Sequence, residues 1–255
     1  MKSIWIVAKK ELKIFLFSPM AYILSAFFLL ISGFFFYNIV TWFSSQSARM
    51  MQNPYYANQL NLNKMVFEPY FNNVAIILIF LIPLLTMRLL SDEKRMRTDE
   101  LLLTSPLKMS SIIMGKYLAA LIIYALILML SVTHTLFIFI HGNPRIIPLL
   151  TSYLGLFLIG AVFIAIGIFA SSLTENQMIA AVISFSTILL IWVLSWIGEG
   201  AGPEWKAILS YLSFFSHFQN LLKGVVDTKD LVYYLSFAFT GLYLAYAVSE
   251  FRKWR

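Results

Sequence analysis

The sequence predicts an all-α integral membrane protein with six transmembrane helices, and three observations carry that prediction. Apolar residues make up 60% of the 255-residue chain and charged residues only 12%, against about 25% charged in an ordinary soluble domain. Apolar runs recur at 20–41, 74–90, 117–140, 146–170, 178–197 and 231–249, each close to or above the ~18 residues that suit a membrane-spanning helix. Lys and Arg gather beside these runs, on one side of the membrane more than the other. The whole chain, 1–255, therefore reads as a single transmembrane domain.

The elements follow in order. In residues 4–17, Lys9, Lys10, Glu11 and Lys13 alternate with Ile4, Trp5, Val7, Leu12 and Phe15 at helical spacings. This pattern predicts an amphipathic helix lying in the interface within segment 1–19. Ser18-Pro19 ends it. The apolar run that follows is longer than a secretory signal's core, so it reads as a retained first span. Pro83 should kink the second span, where neighbouring helices can satisfy the freed carbonyl. Two polar segments separate spans on the other side, 42–73 and 198–230. In the second, Trp205, Ile208, Leu212, Phe215, Phe218 and Leu222 recur three or four apart, with Pro203 suited to the start and Gly224 to the end. This predicts an external amphipathic helix, flat on the surface or re-entrant.

Orientation follows from the basic residues. With the N-terminus inside, Lys2, Lys9, Lys10 and Lys13, then Arg88, Lys94, Arg95, Arg97, Lys108 and Lys116, then Arg252, Lys253 and Arg255 are cytoplasmic. That is 13 of the 19 Lys and Arg residues, so both termini are expected inside. The net charge of +7 thus suits topology and anionic lipid better than nucleic acid.

Several function classes are excluded or weakened. There is no cysteine, hence no disulfide, thiolate catalysis or cysteine-bound metal. No G-x-x-x-x-G-K-[ST] phosphate loop occurs; Gly115-Lys116 runs into Tyr117 and an apolar span. Ion-coupled carriers usually place charges inside the membrane, whereas the acidic residues here fall in loops or at span ends. His134, flanked by Ser131, Thr133 and Thr135, is the one strongly polar titratable residue deep in a span. It reads as a packing or pathway-lining residue, since neighbouring hydroxyls on one helix tend to bond backbone. An intramembrane enzyme or metal-handling protein centred on His134 is the alternative. His141 and His217 fall in separate external loops, which weakens any metal reading. Gly160, Gly167 and Ser171 share one face of the fourth span, with Ala161 and Ala165 a turn apart, and such faces allow close helix approach. The neighbour could belong to this chain or to a second subunit.

The most informative segment lies in the predicted cytoplasmic loop 91–110. It reads Glu93-Lys94-Arg95-Met96-Arg97-Thr98-Asp99-Glu100-Leu101-Leu102-Leu103-Thr104-Ser105-Pro106. Thr98 can cap a helix whose first turn carries Asp99 and Glu100, the end that favours carboxylates. Ser105-Pro106 ends it. A helix this short needs a surface on which to bury its leucines, either its own membrane domain or a docked soluble partner. The next internal loop, Ser171-Ser172-Leu173-Thr174-Glu175-Asn176-Gln177, reads as a tight turn in which Thr174 caps the fifth span and Gln177 closes a capping box.

Residues 93–106 resemble, nearly position for position, the coupling segment of type 2 ABC exporter permeases. There an acidic–basic cluster and Gly-Thr precede an apolar-Glu pair and Leu-Leu-Leu-Thr-Ser-Pro. This chain departs from the pattern with Arg97 for the usual glycine and Asp99 for the usual aliphatic residue. Residues 171–177 are similar to the end of the family's fourth span. His217-Phe218 with 222–228 resembles the last external segment of permeases in the gliding-motility-associated subgroup. The resemblance covers nearly the full chain. It implies the membrane-spanning subunit of an ATP-driven exporter in a bacterial inner membrane, dimerised with a second permease subunit of the same or different sequence. ATP and Mg would be held by a separate ABC ATPase subunit, with no cofactor, metal or catalytic residue on this chain and no nucleic-acid partner. The implied ATPase-coupling interface is Glu93, Arg97, Thr98, Asp99, Glu100, Leu101, Leu102, Leu103, Thr104, Ser105 and Pro106. Thr174, Glu175, Asn176 and Gln177 form a secondary contact, and His134 is a polar residue of the pathway. A membrane anchor that recruits a soluble partner without transport is a third reading.

Overall fold

The computed structural model describes residues 2–51, 61–98, 107–142, 144–200 and 202–252. The eight predicted interface residues from Asp99 to Pro106 lie outside them. The described elements are α1 (Lys2–Phe17), α2 (Pro19–Met51), a π-helical turn (Asn63–Phe67) leading into α3 (Glu68–Thr86), α4 (Arg88–Arg95), α5 (Met109–Leu130), α6 (Val132–His141), α7 (Ile146–Leu173), α8 (Gln177–Glu199), α9 (Pro203–Leu212), α10 (Phe214–Leu222) and α11 (Thr228–Arg252). No strand occurs among the described residues. Six helical stretches are long and apolar enough to cross a membrane: Pro19–Arg49, Asn63–Arg95, Met109–Ile140, Ile146–Leu173, Gln177–Glu199 and Thr228–Phe251. Each contains one predicted run. The first three extend well beyond theirs, because backbone hydrogen bonding continues after the hydropathy falls.

Two spans are interrupted. Pro83 cannot donate its helical hydrogen bond, and α3 gives way to α4 at Met87. The third span breaks at Ser131, whose hydroxyl turns back to Leu128 O at 2.7 Å.

Span α7 is the centre of the bundle, with 78% of its most apolar window enclosed, against 22% for α2 and for α8. Lipid offers no hydrophobic drive for helix association, so close packing has to supply it. The small-residue face predicted for this span does so within the chain. Gly160 lies against the ring of Tyr124 on α5, and Gly167 lies against Thr86 on α3. Tyr124 also donates to Leu156 O at 2.5 Å. On another face of α7, Gly155 receives Phe218 and Leu221 of α10, and Thr151 donates to Leu221 O at 2.7 Å.

The amphipathic segment within 198–230 differs from its prediction as one helix. It divides at Ser213, whose hydroxyl accepts from Phe215 N (3.2 Å) and donates to Trp192 O (3.0 Å). α9 has no buried residue, whereas Phe214, Phe218, Leu221 and Leu222 of α10 are buried. The break lets the second half turn into the bundle, where its aromatic face is enclosed; one straight helix would leave both halves on the surface. Gly224, at φ +84°, closes the hairpin in the left-handed region.

Candidate functional site

The described parts of the loops singled out by sequence, 91–98 and 171–177, converge on one rim of the bundle. Ser171, at the end of α7, reaches into the break between α3 and α4. Its hydroxyl accepts from Leu90 N and Ser91 N, both at 3.0 Å, and donates to Met87 O at 3.0 Å. One donor and two lone pairs are thereby all used, and the side chain caps the start of α4. Lys94 donates to Ser172 O, and Gln177 donates to Asp92 Oδ1. The 171–177 turn is thus fastened to the stem that leads into segment 99–106.

The other side of the stem is held by charge. Lys116, two turns into α5 and 1% exposed, places Nζ 2.7 Å from Glu11 Oε1 and 2.7 Å from Glu93 Oε1. One ammonium therefore joins the N-terminal helix α1, the stem α4 and the third span. Gly115 makes the approach possible, because a Cβ there would overlap Val7 of α1. The Arg88 guanidinium lies 4.7 Å over the ring of Phe15 and donates to Ser18 Oγ at 3.1 Å, where α1 meets α2. Its Nη2 is buried without a hydrogen-bond partner. A cavity of about 250 Å³ lies between α1 and α4, lined in part by Lys10, Phe15, Arg88, Asp92, Glu93, Thr98 and Lys116.

Lys116 and Glu11 were not among the predicted site residues, and Lys116 was read as part of the loop. A signal was present: a lysine inside the first turns of an apolar span requires an acidic partner. Which acid answered it was not readable, since Glu11 and Glu93 lie 105 and 23 positions away.

The stem ends in a complete Schellman closure. Arg97 N donates to Lys94 O (3.1 Å) and Thr98 N to Glu93 O (2.9 Å), with Arg97 at φ 56°. This is the helix-terminal position that favours glycine, and it is where the resembling permeases carry glycine. A left-handed non-glycine residue costs roughly 1–2 kcal/mol. Arg97→Gly should therefore raise the thermal midpoint of the purified chain by about 2–4 °C, the scale of ~1 kcal/mol in a chain of this size. A fall would show that the Arg97 side chain stabilises the turn by more than its strain. Thr98 Oγ1 donates back to Glu93 O at 3.2 Å, and the helix it was predicted to cap lies outside the described residues.

The second loop corrects its predicted cap. Asn176, not Thr174, caps α8: its Oδ1 accepts from Met178 N (2.9 Å) and Ile179 N (3.5 Å). Thr174 Oγ1 instead accepts from Asn176 N at 3.1 Å. The side chain of Gln177 is spent on Asp92, so no capping box forms. The helix begins at Gln177, which leaves Asn176 as the residue whose carbonyl-bearing side chain meets the first free N–H groups. Glu175 sits exposed at the bend.

His134 is half-buried on α6. Its Nδ1 lies 3.1 Å from the hydroxyl of Tyr70, the ring of Phe36 is 5.3 Å away, and Gly33 of α2 faces Nε2. Ser131 and Thr135 bond the carbonyls of Leu128 and Val132, as predicted, and both also meet the hydroxyl of Tyr153, at 3.3 and 3.2 Å. They are therefore committed elsewhere, and His134 has Tyr70 rather than a serine as its partner. Among the described residues no three His, Asp or Glu side chains are grouped to hold a metal.

The geometry holds three segments in register through Ser171, Gln177 and Lys116. A search of curated proteins finds no significant match. The family model described as ABC-2 family transporter protein matches residues 5–249, a stretch that includes nearly all of the interfacial helix, both fastened loops and all but the tip of the last span. The chain therefore belongs to the ABC-2 family, the membrane component of ABC transporters.

Proposed function

We propose that this chain is the membrane-spanning subunit of an ATP-driven exporter, with segment 93–106 as its contact with a separate ATPase. The supporting observation is the bonding of the stem. Ser171 and Gln177 tie it to the fourth and fifth spans, and Lys116 ties it to the third span and the interfacial helix. A push on the segment after Thr98 would reach four helices through buried polar contacts. ATP and Mg reside on the partner, whose closure moves the stem. In this reading the rim and both termini are cytoplasmic, the membrane is a bacterial inner membrane, and a second permease subunit completes the pathway. The softer likeness around His217 favours the gliding-motility-associated subgroup.

Burial of each leucine on a partner stabilises the complex by roughly 1.5–3 kcal/mol. Leu102→Asp should therefore weaken ATPase binding about tenfold or more while leaving membrane insertion intact. Thr98→Ala should act more mildly. The measurement is affinity purification from native membranes, with the bound P-loop ATPase quantified by mass spectrometry. Undiminished recovery with Leu102→Asp would show that the leucines cover this chain's own membrane domain, which is the reading of a lipid-surface element.

A further inference from the structure

The cavity between α1 and α4 carries charge of both signs that the stem contacts do not use up. Its charged walls, among the described residues, are three cations, Lys10, Arg88 and Lys116, and three carboxylates, Glu11, Asp92 and Glu93. The two signs balance, and part of the set is already paired. Lys116 joins Glu11 Oε1 and Glu93 Oε1, and Gln177 donates to Asp92 Oδ1. Donors and acceptors are left over on both sides. Arg88 Nη2 is buried with no acceptor. Lys10 is exposed and makes no hydrogen bond or ion pair among the described residues. Asp92 Oδ2 and Glu93 Oε2 receive no donor, and neither oxygen is enclosed.

Such a set selects what it binds. A buried guanidinium N–H without an acceptor has lost its hydration with no exchange. A ligand with net charge would unbalance the walls. A zwitterion with an oxyanion and an N–H cation a few bonds apart answers both signs with charge-assisted hydrogen bonds. Depth narrows the choice further. Ser18, which accepts from Arg88, precedes the first span; Arg88 lies in the last two turns of the second crossing stretch, and Lys116 lies two turns into the third. The ends of spans lie at the level of lipid headgroups. Apolar surface continues outward from the cavity. Ile14 and Met96 line it and are 47% and 73% exposed, and Phe17, at the end of α1, is 85% exposed.

We propose that this cavity binds the phosphoethanolamine headgroup of a phospholipid, with the phosphate on Lys10 and Arg88 and the primary ammonium on Asp92 and Glu93. Nη2 is covered in this structure, so a small turn of the guanidinium brings it to the phosphate. A primary ammonium has three N–H donors, enough for both free carboxylate oxygens. A choline headgroup has none, and a glycerol headgroup leaves the phosphate charge unbalanced. The bound lipid bridges α1, through Lys10, and α4, through Arg88, Asp92 and Glu93. It thus adds to the fastening that Lys116 provides.

The test is native mass spectrometry of the full chain in detergent, titrated with dioctanoyl phosphatidylethanolamine, phosphatidylcholine or phosphatidylglycerol. The ethanolamine lipid should bind about tenfold or more tighter than either of the others, the scale of one charge-assisted hydrogen bond. Lys10→Gln breaks no described contact and should weaken the ethanolamine lipid several-fold. Asp92→Asn keeps an oxygen for Gln177 but leaves the walls net positive, so it should shift the preference to the glycerol lipid. Lys206→Gln, outside the cavity, should change nothing. Equal binding of the three lipids by the wild-type chain overturns the headgroup site, as does tightest binding of the glycerol lipid or undiminished affinity in Lys10→Gln. Water-soluble glycerophosphoethanolamine that binds as tightly as the ethanolamine lipid overturns the lipid as occupant. The wild-type ranking stands even if Asp92→Asn fails to fold. No arm uses an ATPase, so failed selectivity leaves the permease reading untouched.

Discussion

Lys116→Met is expected to dismantle the α4 rim. The substitution nearly keeps the length of the side chain and removes the cation that Glu11 and Glu93 share at 2.7 Å. Two carboxylates then remain close together in a largely buried site. Breaking a buried pair by removing one partner costs roughly 3–5 kcal/mol, a large part of the stability of an ordinary domain. The helix α1 should detach, seen as rapid proteolysis within residues 2–17 of the purified chain, and the thermal midpoint should drop. The triple variant Lys116→Met, Glu11→Gln, Glu93→Gln should recover most of the fold, because neutral replacements of a buried ion group are tolerated far better than its division. Wild-type protease resistance in Lys116→Met would mean that the apolar packing of Val7 and Ala8 holds the interfacial helix by itself.

Gly167→Val should be comparably severe for a different reason. A Cβ at this position would overlap both Oγ1 and Cβ of Thr86. Thr86 is fully buried and its hydroxyl bonds Ile82 O at 2.9 Å, so it cannot turn away cheaply. Separating α7 from α3 would relieve the overlap, but the hydroxyl of Ser171, one turn further on, ties α7 to Met87 at the end of α3 and to the start of α4. Overpacking of a core costs about 1–3 kcal/mol where the surroundings can shift, and here they are fastened. Expected results are aggregation on size-exclusion chromatography and loss of the folded peak. Gly202→Ala is the control: an added Cβ meets nothing within 4 Å, and its elution and melting should be unchanged. A folded Gly167→Val variant with intact melting would show that α3 and α7 can slide apart without disturbing the stem.

The proposed transmission through the stem depends on the same contacts. Ser171 and Lys116 act on opposite sides of α4, one through neutral hydrogen bonds and one through charge. A displacement of segment 99–106 in either direction therefore meets a buried polar contact. Of the two spans with the least enclosed windows, α2 and α8, α8 is tied to the stem by Gln177 at its start.

By itself the sequence determined the six spans and the N-terminal helix with its end at Ser18. Those features follow from length, composition and period. In lipid a backbone must satisfy its own hydrogen bonds, so a long apolar run becomes a helix whatever its neighbours are. The small face of Gly160, Gly167 and Ser171 was also legible, as was the left-handed end at Gly224. Tertiary structure alone decided what those faces meet. It put Gly167 against Thr86 of the same chain, gave Lys116 two acids distant in sequence, and turned α10 into the bundle at Ser213. It chose Asn176 over Thr174 as the cap, and it buried His217 against Asp230 where the sequence showed a loop. Periodicity says which side of a helix is apolar or small. The partner of a buried charge or hydroxyl depends on which helices cross at that depth, and a polar group taken out of water must find that partner nearby or lose the stability that the water supplied.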